Sequence, residues 1–164
     1  MGAIGSLDVI PVLEKYLDDP SEAVSETCVL ALDKIRYDND PKNKEEKEKN
    51  QSVYSSVDPA PPSVTVKSPQ ELGKQLMDTS LPLFERYRAM FGLREIGNTE
   101  AVEELAKGLK DKSGKFISSS HSIGQIFYVC DTRSKKIHTN SKIIDYYYYY
   151  YYITALFRHE GNKT

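Results

Sequence analysis

Few side chains in this sequence could hold a metal or act as a nucleophile: three histidines, His121, His138 and His159, and two cysteines, Cys28 and Cys130. His159 stands apart. It precedes a carboxylate, Glu160, and follows Ala155-Leu156-Phe157-Arg158, which reads as the start of a helix. Adjacent residues on a helix point about 100° apart. One His-Glu dipeptide therefore gives an ion one ligand and aims the other side chain at a neighbour or a substrate. A non-haem iron takes about six donors, several of them from protein. Such a site calls for several His-Glu helices facing one another, and this chain has one. Taken alone, the pair also suits a surface or capping role. His121 and His138 read as exposed loop residues. Cys28 reads as a small buried thiol on an apolar helix stripe. Arg86 and Arg88 read as packing and ion-pair residues, and Asp18-Asp19 as a turn. There is no Cys-x-x-Cys, phosphate-binding glycine loop or nucleophile elbow.

The elements that must position these residues are helical. The first spans 8–18, with Asp8 as cap, Pro11 in the first turn, and Val9, Val12, Leu13, Tyr16 and Leu17 on one face. A second spans 21–37, with Val24, Cys28, Ala31, Leu32 and Ile35 as its stripe. Residues 38–68 hold a mixed-charge run, Lys42 to Lys49, and a stiff Ser56-Val57-Asp58-Pro59-Ala60-Pro61-Pro62. This composition predicts an exposed, poorly ordered linker. Helices resume at 69–78, with Leu72, Leu76 and Met77 inward. Residues 81–96 carry Phe84, Tyr87, Arg88 and Phe91 on one side, closed by Gly97. Residues 99–110 start at a Thr99 cap and align Val102, Leu105, Ala106 and Leu109.

An internal repeat ties the two halves together. Ile4 to Asp19 aligns without gaps on Ile96 to Asp111, at an offset of 92, with six of sixteen positions identical. The match falls on a helix-closing glycine followed by a helix, as in a helical-repeat solenoid.

Residues 114–154 break the pattern. They contain seven isoleucines but no leucine, alanine, glutamate or proline, and end in Tyr146 to Tyr152 and Ile153-Thr154. Gly114-Lys115 can be encoded GGT-AAR, a splice donor, and Thr154-Ala155 can be encoded ACA-GCN, a splice acceptor. Excision between them regenerates an alanine codon and joins Lys110-Asp111-Lys112-Ser113 to Ala155-Leu156-Phe157-Arg158-His159-Glu160. Gly161-Asn162 permits a second donor. The segment reads as a retained intron, the alternative being a low-complexity surface insertion.

Composition excludes several classes. A chain of 164 residues suits one domain or two small ones. No apolar run approaches the ~20 residues of a membrane span, and no secretory leader is expected from Met1 to Ser6. A net charge of −2 gives no electrostatic reason to expect nucleic acid. Two cysteines make no disulfide framework, so a reduced, cytoplasmic chain is expected.

Four stretches resemble one known family, deoxyhypusine hydroxylase. These are Gly2-Ala3-Ile4-Gly5 through Glu26-Thr27-Cys28-Val29-Leu30-Ala31-Leu32; Ser56 to Pro62; Pro82-Leu83-Phe84-Glu85-Arg86-Tyr87-Arg88-Ala89-Met90-Phe91-Gly92-Leu93-Arg94; and Ser113 followed, after the foreign segment, by Ala155 to Glu160. The resemblance implies an all-α fold of HEAT-like helical-hairpin repeats, an α-solenoid of two partial arms joined by a flexible linker. It divides the chain into the end of the first arm (1–37), the linker (38–68), the start of the second arm (69–113), an unstructured insert (114–154) and a truncated His-Glu motif with its tail (155–164).

The resemblance also implies a di-iron monooxygenase that uses dioxygen to hydroxylate the deoxyhypusine side chain of eukaryotic translation initiation factor 5A. Four His-Glu motifs, two per arm, hold the irons. By position His159 matches an iron ligand, and Glu160 matches the motif's carboxylate, either a ligand or a group facing the substrate amine. On the family pattern this chain starts just after the second motif and ends at the third. One motif of four is present, so this chain alone is not expected to turn over. The alternative is an inactive helical-repeat fragment that acts at most as a protein-binding module.

Overall fold

The computed structural model describes residues 2, 5–49, 58–63 and 68–108. Among these every regular element is helical, in the order α1 (Ile10–Glu14), α2 (Glu22–Asn39), α3 (Lys44–Lys49), α4 (Pro69–Met77), α5 (Leu83–Ile96) and α6 (Thr99–Gly108). A 3-10 turn, Leu7–Val9, leads into α1, and another, Pro41–Asn43, leads into α3. The helical-repeat reading of the sequence stands.

Local chemistry sets the boundaries. The Ser6 hydroxyl accepts from the Asp8 amide at 3.3 Å and so takes the capping place expected of Asp8. The expected first helix is shorter than 8–18, because the chain turns after Glu14. Helix α2 stops at Asp40, which Pro41 pushes into extended backbone, with φ −77° and ψ 120°. Ser68 and Glu71 form a reciprocal capping box at the start of α4. Gly97 closes α5 in the left-handed region, at φ +60°. Asn98, not Thr99, caps α6: its side-chain oxygen accepts from the Ala101 amide at 2.8 Å.

Helix α1 packs on α2, and α4, α5 and α6 pack on one another. Helix α2 has two buried faces. Cys28, Leu32 and Ile35 meet Leu13 of α1. Leu30 and Tyr37 instead join Phe84, Tyr87, Leu93, Val102 and Leu105 in the larger core. Tyr37 and Phe84 lie 5.7 Å apart, ring to ring, so the core is continuous across both halves. Helix α5 sits at the centre and is buried on nearly every side.

Several expected inward residues face out. Val12, Tyr16, Val24 and Met77 are exposed, while Val9 and Leu17 pack against the smaller core. The expected α1 and α2 stripes assumed neighbours on sides where the described residues supply none.

The linker expectation also needs correction. Part of the mixed-charge run is helix α3. Ala60 is fully buried and Pro62 is buried beside α5. Apolar side chains in a proline-rich stretch gain by burial as readily as those of a helix. The insert 114–154 and the tail 155–164 lie outside the described residues.

Candidate functional site

His159 and Glu160, the expected metal and catalytic pair, lie outside the described residues, as do His121, His138 and Cys130. The described residues contain no histidine. Among them no group of three or more histidine, cysteine, aspartate or glutamate side chains could hold a metal ion. The described helices therefore do not by themselves fit an iron centre. They form a continuous helical support.

That support is organised by three arginines of α5. Arg86 is almost completely buried, and its Nε donates to the Leu76 carbonyl at 2.9 Å. This satisfies a carbonyl at the end of α4, which has no partner further along its helix. Arg88 lies 5.0 Å from the centre of the Tyr37 ring and pairs with Glu46 and, at 3.4 Å, with Glu85. Arg86 packs, and Arg88 both packs and pairs, as their sequence context suggested.

Arg94 is the residue that sequence reasoning passed over. Its guanidinium donates to both carboxylate oxygens of Asp58, at 3.0 and 2.6 Å, and to Glu95 at 3.0 Å. It also lies 4.7 Å from the centre of the Phe91 ring. Burial works against its charge, but the hydrogen bonds and negative charge of Asp58 and Glu95 outweigh burial and raise its pKa. The signal was present in the sequence: an arginine three residues after an aromatic on a helix, and one acid in an otherwise neutral proline-rich stretch.

Electrostatics elsewhere are structural. Burial pushes the Tyr37 phenol well above its ordinary value, reinforced by the adjacent Glu46 carboxylate. Burial also raises the Asp33 carboxyl, which Arg36 partly offsets. The Ser80 hydroxyl and amide hold Asp78 below the usual carboxylate value. Cys28 is a buried free thiol, as its stripe position suggested.

The comparisons with known proteins agree with this architecture. A family model described as a PBS lyase HEAT-like repeat matches residues 85–111. A deoxyhypusine hydroxylase of Drosophila melanogaster is 46% identical over 116 residues, covering 71% of this chain and 37% of the relative. One of Neurospora crassa is 45% identical over 139 residues, covering 77% of this chain and 42% of the relative. A solved structure of human deoxyhypusine hydroxylase in complex with glycerol matches with a TM-score of 0.64 and 40% identity, over 76% of this chain and 41% of that one. The chain thus spans about two fifths of the length of these relatives.

Proposed function

We propose that this chain, a relative of the deoxyhypusine hydroxylases in sequence and in structure, supplies scaffold and one motif of the site that hydroxylates the deoxyhypusine side chain of eukaryotic translation initiation factor 5A. Iron, when bound in a complete site, supplies activation of dioxygen. This chain's part is to present His159 as a metal ligand and Glu160 as the carboxylate that binds metal or faces the substrate amine. Identity of 46% to a named hydroxylase is the observation that carries this reading.

A second reading is an inactive helical-repeat fragment, a protein-binding module at most. It is favoured by the one His-Glu motif, since two donors pointing apart leave most of a metal's shell to water. The reading we adopt for the 164-residue chain alone is that it neither retains stoichiometric iron nor turns over. A spliced parent with all four motifs does both. A cytoplasmic location is part of the same proposal; among the described residues, no helix is long and apolar enough to cross a membrane.

Iron analysis and a hydroxylation assay on both proteins test this. In the parent, His159→Ala should abolish iron at one metal position, and Glu160→Ala should cut activity where iron remains. Two irons per short chain, or turnover by it, would overturn the reading that the missing motifs are required.

A further inference from the structure

Residues 58–63 run alongside α5 in the opposite direction, with Asp58 beside Arg94 and Ser63 beside Arg88. Three kinds of contact hold them there. Asp58 takes the two-pronged bond from Arg94, with side chains only 13% and 6% exposed. Ala60 and Pro62 are buried. The Ser63 amide donates to the Arg88 carbonyl at 3.1 Å.

Gly92 of α5 faces both this segment and α4. A Cβ there would stand in ordinary contact, at 3.6 Å, with the Ser63 nitrogen and crowd a Leu72 methyl at 3.3 Å, so the bare glycine eases the approach of α4. Pro59, Pro61 and Pro62 fix their own φ angles and carry no N–H that burial would strand. Before this segment the chain is already attached to the same helix, through Glu46 of α3 and Arg88, whose guanidinium lies over Tyr37 of α2.

From these contacts we infer that residues 58–63 are a rigid brace, locked on α5 by Asp58 and Arg94, that fixes the distance between α2 and the α4–α6 group. A loose tether would need none of this burial or pairing. On the function proposed above, and resting on it, the brace would hold the two halves at the spacing that a metal site shared between them requires. Asp58 and Arg94 would then be positioning residues, acting at a distance from the reacting atoms.

The test is a distance measurement on the full 164-residue chain. Spin labels attached through encoded keto side chains at the exposed positions 29 of α2 and 103 of α6 leave Cys28 and Cys130 untouched. The parent should give one narrow distance peak. Asp58→Asn should broaden it while circular dichroism reports the same helix content. The double variant Pro59→Gly/Pro61→Gly softens the brace without altering any residue of α5, and should broaden the peak as well. If the double variant keeps the narrow peak, the segment is only a connection and the inference fails. Iron loading and turnover play no part in this readout, so failure of the functional reading and failure of the brace are seen separately.

Discussion

Gly5 and Gly97 hold the same left-handed backbone conformation 92 residues apart, at φ +69° and +60°. Each is followed at once by a capping side chain, Ser6 or Asn98, that accepts from a backbone amide of the next turn. Each leads to a buried leucine, Leu13 or Leu105, at the same register. The sequence repeat is therefore a repeat of backbone geometry.

Replacing either glycine by alanine should cost about 1–2 kcal/mol, the penalty of a side chain in that region. At Gly5 the cost is conformational alone, since an added Cβ meets nothing nearer than 4.0 Å. Asparagine, which tolerates the region better, should cost less at both sites. Urea midpoints of the four variants check this, and an alanine variant as stable as the parent contradicts it.

Gly73 lets α4 lie against α6. A Cβ there would fall 3.0 Å from the Glu104 Cβ and 2.8 Å from its Cδ, so the helices or the carboxylate must move. Gly73→Ala should destabilise by about 1–3 kcal/mol, the usual range for overpacking. Combining it with Glu104→Ala should recover part of that loss, measured as non-additivity in a double-mutant cycle. Additive losses would show that the two residues do not compete for the same space.

Tyr37 gives the fold an alkaline limit. Its phenol is pushed above its ordinary value of 10.0 by burial first and by Glu46 second, so the folded state keeps the proton that the unfolded state releases. The stability it contributes is complete below about pH 10 and falls as pH rises above that value. Denaturation at about pH 9 and pH 11 should show a smaller loss for Tyr37→Phe than for the parent. Equal losses would place the phenol in water.

The outer face of the first hairpin should make the chain associate. Leu7 is 55% exposed, Tyr16 48% and Val12 40%. Three large apolar side chains exposed on one short hairpin favour self-association. Sedimentation velocity on Val12→Glu/Tyr16→Ser should show less association than the parent, and an unchanged profile would move the adhesive surface elsewhere.

How much of this was legible in the sequence depended on which neighbour each residue has. Helix positions follow from 3.6-residue spacing and capping chemistry, so α2, α4, α5 and α6 fall close to their expected bounds. Stripe membership is less local. Leu30 and Tyr37 lie off the expected α2 stripe because they meet α5, a contact that no window along α2 contains. The burial of Ala60 and Pro62 was illegible for the same reason: proline-rich composition speaks of stiffness and is silent about the surface it lies against. The proposed site residues His159 and Glu160 rest on the motif alone and lie outside the described residues, whereas the role of Arg94 became plain only with its partner, 36 residues earlier in the chain.

The shared core of α2 and α5 has a consequence for synthesis. Phe84 follows Tyr37 by 47 residues, which a ribosome adding about 5–20 residues per second takes several seconds to make. During that interval α1 can already cover Cys28, Leu32 and Ile35, while Leu30 and Tyr37 wait uncovered. The nascent chain thus passes through a half-dressed hairpin whose second face is an open invitation to chaperones, and its order of assembly is written into one helix with two cores.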